Sequence, residues 1–230
     1  MGVEMLTRRF YRLLLGPFQA YLWRDAGSMT LIDTGPADAG VEIAAALDEL
    51  GLAPSDVDRI VLTHFHDDHT GAAAEIREWG GVEVVAHRAD APFIRGAKAG
   101  PPPTLGPDEQ EPYERIVSGL PPAPPVPVDR EVVDGEVLDF GGGARVIATP
   151  GHTPGSLALH LPAHGILITG DTVAEHLGRV LLGAFNVDTA EAADSLRRLA
   201  ALPVELAVFG HGEPVRAGAQ ARLQDAVAAL

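Results

Sequence analysis

Apolar positions along this chain fall into short runs broken by turn residues, and the first third repeats the pattern three times. "YRLLLG", "QAYLW" and "MTLIDTG" are separated by Gly16-Pro17 and by Asp25-Ala-Gly27, and each predicts a strand. The period then changes. Val41, Ala44, Ala45, Leu47 and Leu50 follow helical spacing, and Gly51 ends it. "RIVLTH" predicts a buried strand, "GAAAEIREWG" a short helix and "VEVVAH" another strand. Further on, "EVLDF", "ARVIATPG", "SLALHLP" and "GILITGD" predict strands, "TAEAADSLRRLAAL" a helix, "ELAVFGHG" a strand, and the tail from Ala217 a closing helix. Two strand-rich halves, each followed by helices, predict an α/β chain of two stacked sheets with helices outside. No repeat or boundary interrupts the pattern, so residues 1–230 read as a single domain.

The stretch around 91–130 has another character. Ten of the chain's 19 prolines lie between Pro101 and Pro127. At that density proline removes the hydrogen bonds of helix and sheet, which predicts a long surface loop, and a loop this long inside a compact domain is often a lid.

Composition narrows the partners. With 230 residues, 46% of them hydrophobic, the chain can bury a sizeable core. Its formal charge of -15 disfavours nucleic acid and anionic membrane surfaces. There is no cysteine, so any metal must be held by nitrogen and oxygen. Arg8 and Arg9 precede "FYRLLLGPF" as in a leader, but Arg12 breaks the run and no small-residue cleavage site follows, so it reads as a strand. The expectation is a cytoplasmic protein acting on a small molecule.

The densest chemistry is "THFHDDHT", Thr63 to Thr70. His64, His66, Asp68 and His69 leave a predicted strand and enter a helix. His152 follows "RVIATPG", Asp171 follows "ILITG" and His211 follows "LAVFG", each just past a predicted strand and behind a glycine. Strand ends line the ligand crevice of α/β sheets, so these residues can converge. Imidazole nitrogen and carboxylate oxygen are zinc ligands. His64 and His66, two apart, could serve one metal, and Asp68 and His69 a second.

The motifs resemble those of the metallo-β-lactamase-fold hydrolase superfamily, in its dinuclear branch: "LIDTG", "THFHDDHTGAA", "TPGHTPGSLAL", "LITGDT" and "VFGHGEP", in that order. The resemblance implies a four-layer αββα sandwich. It also implies that His64, His66 and His152 bind one metal, that Asp68, His69 and His211 bind the other, and that Asp171 bridges them. The cofactors would be two Zn2+ per chain, with iron or manganese as alternatives, sharing a hydroxide that attacks a small ester, thioester or lactone. Asp68 would also steer the nucleophile or take up a proton. Asp33 would orient ligands from behind, although an Asp before Thr-Gly is equally a plain turn former. The set resembles the glyoxalase II and lactonase side, because Asp171 stands at the bridging position. The 19 residues after His211 are too few for a glyoxalase II helical domain, and "TVAEH" after Asp171 lacks the tyrosine of many lactonases. The alternatives are a mononuclear iron sulfur dioxygenase of the same fold and a non-catalytic metal-binding module.

Other residues read more plainly. Phe65 lies between two ligands and could wall a pocket. His176, five residues after Asp171, could face substrate, and Phe93 and Tyr113 could act as lid contacts. His87, Trp23, Trp79 and Phe140 read as structural. His160, His164 and Asp67 read as solvated, and Thr172 and Ser156 as local hydrogen-bond partners of the loops.

Overall fold

A computed structural model describes residues 2–230. By its internal contacts the chain forms two compact units, 1–99 with 120–132, and 100–119 with 133–230.

The first unit is built on a seven-stranded sheet whose strands lie side by side in chain order. They are β1 (Gly2–Met5), β2 (Phe10–Leu15), β3 (Phe18–Asp25), β4 (Ser28–Ile32), β5 (Arg59–Leu62), β6 (Glu83–His87) and β7 (Arg130–Val132). β1 to β4 form an antiparallel meander, and β4 to β7 run parallel. Helices α1 (Gly40–Glu49), α2 (Asp67–Thr70), α3 (Ala73–Arg77) and α4 (Ala91–Ile94) occupy the connections. Leu13, Leu22, Leu31, Ile60 and Leu62 form a core cluster with Ile43 and Leu47 of α1 and Ile76 of α3. Each such fully buried side chain contributes about 1.5–3 kcal/mol. The buried stripe of α1 is Ile43, Ala46 and Leu47. Val41, which shares the helical spacing in the sequence, is 71% exposed.

The second unit holds a five-stranded sheet in the order β14-β11-β10-β9-β8 and a separate hairpin, β12-β13. Its elements are α5 (Gln110–Ser118), β8 (Val137–Leu138), β9 (Ala144–Ala148), β10 (Leu157–Leu161), β11 (Ile166–Ile168), β12 (Val173–His176), β13 (Arg179–Leu182), α6 (Thr189–Ala200), β14 (Leu206–Val208) and α7 (Ala219–Ala228). Helix α6 starts where the Asp188 carboxylate accepts the Glu191 amide at 3.0 Å, which satisfies an end group of the helix. Leu196 and Leu199 of α6 meet Leu223 of α7 and Ile147, Ala158 and Leu167 of the sheet.

In this unit two expectations from the sequence need correction. The Pro-rich segment does contain regular structure, because Pro112 stands in the first turn of α5, where its missing N–H costs no helical bond. His160 is buried on β10, at 5% exposure, rather than solvated. Burial pushes its imidazole below the ordinary histidine value, Arg145 adds to the effect, and a hydrogen bond to the Pro203 backbone opposes it. Trp23 and Phe140 are core residues, as the sequence predicts.

Candidate metal centre

In the first unit the parallel strands β4 and β5 end side by side, Ile32 opposite Val61. Asp33 therefore emerges next to Thr63 and His64. Asp33 is buried and adopts φ 58, a left-handed conformation that a non-glycine residue rarely takes. Its carboxylate accepts from the Thr63 amide at 2.7 Å, the Thr63 hydroxyl at 2.8 Å and His69 Nδ1 at 2.8 Å. The Thr63 hydroxyl, having given its proton to Asp33, accepts from His64 Nδ1 at 3.0 Å. Both imidazoles thus carry their proton on Nδ1, which makes each Nε2 an acceptor. His64 Nε2 and His66 Nδ1 lie 3.1 Å apart, and His69 Nε2 lies 3.7 Å from Asp68 Oδ2. The ligand atoms of His64 and His66, of His64 and His69, and of Asp68 and His69 are each within 4.8 Å of one another.

The loop after β4 also clamps α2. Thr34 gives both its N–H and its hydroxyl to the His69 carbonyl, and the Gly71 amide bonds the Gly35 carbonyl. A side chain at position 71 would collide with the backbone of Pro36 and Ala37, so only glycine permits this approach.

In the second unit three strand ends converge. His152 follows β9, Asp171 lies in a single 3-10 turn after β11, and His211 follows β14. Asp171 Oδ2 is 3.8 Å from His152 Nε2 and 3.3 Å from His211 Nε2. His152 gives Nδ1–H to the Ala184 carbonyl at 3.1 Å, so its Nε2 is again the acceptor nitrogen. The Thr172 hydroxyl bonds Thr149 at 2.8 Å, and Ser156 accepts from the Thr153 amide at 3.0 Å; these are the local loop contacts the sequence suggests.

The structure thus brings His64, His66, Asp68 and His69 together in one unit, and His152, Asp171 and His211 together in the other. Phe65 packs edge-on to Phe93, with ring centroids 5.0 Å apart. His176 is exposed at the tip of the β12-β13 hairpin. His87 accepts from the Ala89 amide, in keeping with a structural reading.

Three acids have roles that the sequence reading does not give. Asp90 is fully buried and accepts from the Phe65 amide at 3.1 Å, holding the ligand loop from below. Glu175 accepts from the Glu213 amide at 2.6 Å, and its own N–H bonds the His211 carbonyl at 3.2 Å. Asp67 is not a solvated neighbour: its carboxylate takes the Ala123 amide at 2.8 Å and ties down the end of the Pro-rich segment. Single acids carry no sequence pattern of their own, so only the fold reveals their partners.

Comparison with known proteins gives this donor set its place. The family model described as the metallo-beta-lactamase superfamily matches residues 16–211. The chain belongs to that superfamily. It is 34% identical to a probable metallo-hydrolase of Bacillus subtilis over 82% of this chain and 76% of the relative. It is 33% identical to a hydroxyacylglutathione hydrolase of Maricaulis maris over 85% of this chain. The match spans only 61% of that relative, and about as little of most of the other hydroxyacylglutathione hydrolases it resembles. A metallo-beta-lactamase family protein from Thermus thermophilus superposes with a TM-score of 0.73 at 27% identity, over 98% of this chain and 80% of its own. This superfamily member therefore has the α/β metallo-β-lactamase fold. Among its described residues no helix is long and apolar enough to cross a membrane.

Proposed function

We propose that the chain is a dinuclear metal hydrolase that cleaves a small ester, thioester or lactone. That it is a metal-dependent hydrolase follows from its superfamily and its two kinds of relative. In the finer reading His64, His66 and His152 hold one zinc, Asp68, His69 and His211 the other, and Asp171 is shared. One observation carries this reading. His64, His69 and His152 each commit Nδ1–H to a fixed acceptor, so each presents a lone pair on Nε2. Nitrogen and oxygen donors in this number suit zinc.

When bound, the metals would acidify a water and polarise the substrate carbonyl. The protein's own residues do the rest. Asp33, Thr63 and the Ala184 carbonyl fix ring orientation, which a rigid centre needs before substrate arrives. Asp68, beside His69, is the group placed to hold the proton lost from the attacking water and to return it to the leaving group.

Elemental analysis of purified protein, with a panel of thioesters, lactones and aryl esters, tests the proposal. Two zincs per chain and turnover of at least one class are expected. A single iron with oxygen consumption would overturn it, and full metal loading with no turnover would leave a binding module. Asp171→Ala should lose metal from both positions; retention of two metals with full activity would remove the shared role.

A further inference from the structure

The middle of the Pro-rich segment belongs to the second unit, and what it grips there is the loop between β13 and α6. That loop is the support of His152. Ala184 receives the Nδ1–H of His152, and Val187 bonds the His152 carbonyl. The segment holds it at three points. Thr104 bonds the carbonyls of Asn186 and Val187 at 2.8 and 2.9 Å, Glu109 takes the Phe185 amide at 3.3 Å, and Tyr113 of α5 packs on Phe185 with centroids 5.4 Å apart. Phe185 is held at φ 58, which is costly for a bulky residue. The consequence is that a half-buried aromatic pair stands one residue from the contact that orients His152. α5 buries none of its residues, and its Ile116 and Val117 are 47% and 49% exposed.

Charge indicates what these apolar groups meet. Residues 100–119 carry Asp108, Glu109, Glu111 and Glu114 against Arg115 alone, and Arg115 is paired with Glu111. Such a surface disfavours anionic carriers. We propose that Phe185 and Tyr113 are specificity residues that receive an uncharged apolar acyl group, aryl or branched alkyl, and that the acidic segment selects against anionic leaving groups such as glutathione. This rests on the hydrolase reading above.

The test uses the full-length, metal-loaded protein and two 4-nitrophenyl esters, acetate and 4-phenylbutyrate. Phe185→Ala and Tyr113→Ala should each lower the ratio of kcat/KM for phenylbutyrate to that for acetate about 10-fold, through KM for phenylbutyrate. An unchanged preference, or equal loss on both esters, would overturn the proposal, the second because the ring would then only support His152. Phe185→Gly removes the ring while relieving the backbone, and covers the case in which the alanine variant folds poorly. Saturation-transfer NMR with 4-phenylbutyramide gives a readout without turnover: signal in the parent, lost in Phe185→Gly, supports the platform, and equal signal overturns it. If no ester is cleaved, the hydrolase reading fails while the NMR result still decides the platform. With one acyl group on N-acetylcysteamine or on glutathione, the neutral thioester should be favoured about 10-fold at low salt and less at high salt. Equal rates, or a glutathione preference, would sink the charge selection.

Discussion

Asp33 is the residue on which most of the first ligand cluster hangs. It gives three hydrogen bonds' worth of acceptor capacity from a left-handed backbone position. Asp33→Ala frees the Thr63 hydroxyl and His69 Nδ1 at once. Metal affinity should fall about 10–100-fold, measured by chelator competition. Melting temperature should also drop, since buried donors lose their partner. Unchanged affinity would reduce Asp33 to the turn former that the sequence equally allows. His160 makes a different prediction. Its folded value is depressed by burial, so the unfolded chain binds the proton more readily. Stability is therefore complete above about pH 6.5 and is lost as pH falls below it. His160→Gln should flatten the fall of melting temperature between about pH 6.5 and 5. Parallel curves for parent and variant would contradict this. The candidate donors were legible because one chemistry recurs behind four strand ends. His160 was not, because alternation along "SLALHLP" does not say that both faces of β10 are covered.

At the scale of elements, strand ends set the geometry and loops lock it. Gly183, at the end of β13, lies so close to the Asp171 carbonyl that a side chain there would overlap it. Gly183→Ala should displace the Asp171 turn, cost about 1–3 kcal/mol and lower metal occupancy, read by thermal melts and elemental analysis. An alanine variant with parental occupancy would show that the turn yields freely. Asp67 acts on the other side of the Pro-rich segment through Ala123. Asp67→Ala should speed limited proteolysis around residue 120 several-fold with metal content unchanged, because Asp67 is outside the ligand set. The strands β2 to β6 and helices α1 and α6 could be read from period alone. β1 and β7 could not: each is three or four residues long, and pairing with a neighbour rather than pattern makes it a strand. α5 escaped for the reason already given, proline in a first turn.

The molecule as a whole offers seven candidate imidazole and carboxylate donors in a chain of net charge -15. Cations that bind only the folded state add stability by mass action, about 2.7 kcal/mol at a hundred times the dissociation constant. Chelator should therefore lower the melting temperature by roughly 5–11 °C, and added zinc should restore it. Insensitivity to both treatments would mean that the donors are satisfied among themselves. Composition limits the donors, since a chain without cysteine offers nitrogen and oxygen.

The arrangement of the seven-stranded sheet has a kinetic consequence. β1 to β4 are joined by tight turns, whereas β4 to β7 are brought together only by crossovers, the longest running from His87 to Arg130. Closing long loops is slow, so the meander should form first and β5 should dock on it afterwards. Pulsed hydrogen exchange during refolding should protect the amides of β2 and β3 before those of β5. The His64–His69 loop hangs from β5 and takes its shape from Asp33 at the end of β4. Metal capture then belongs among the last events of folding, and zinc should slow unfolding more than it speeds refolding.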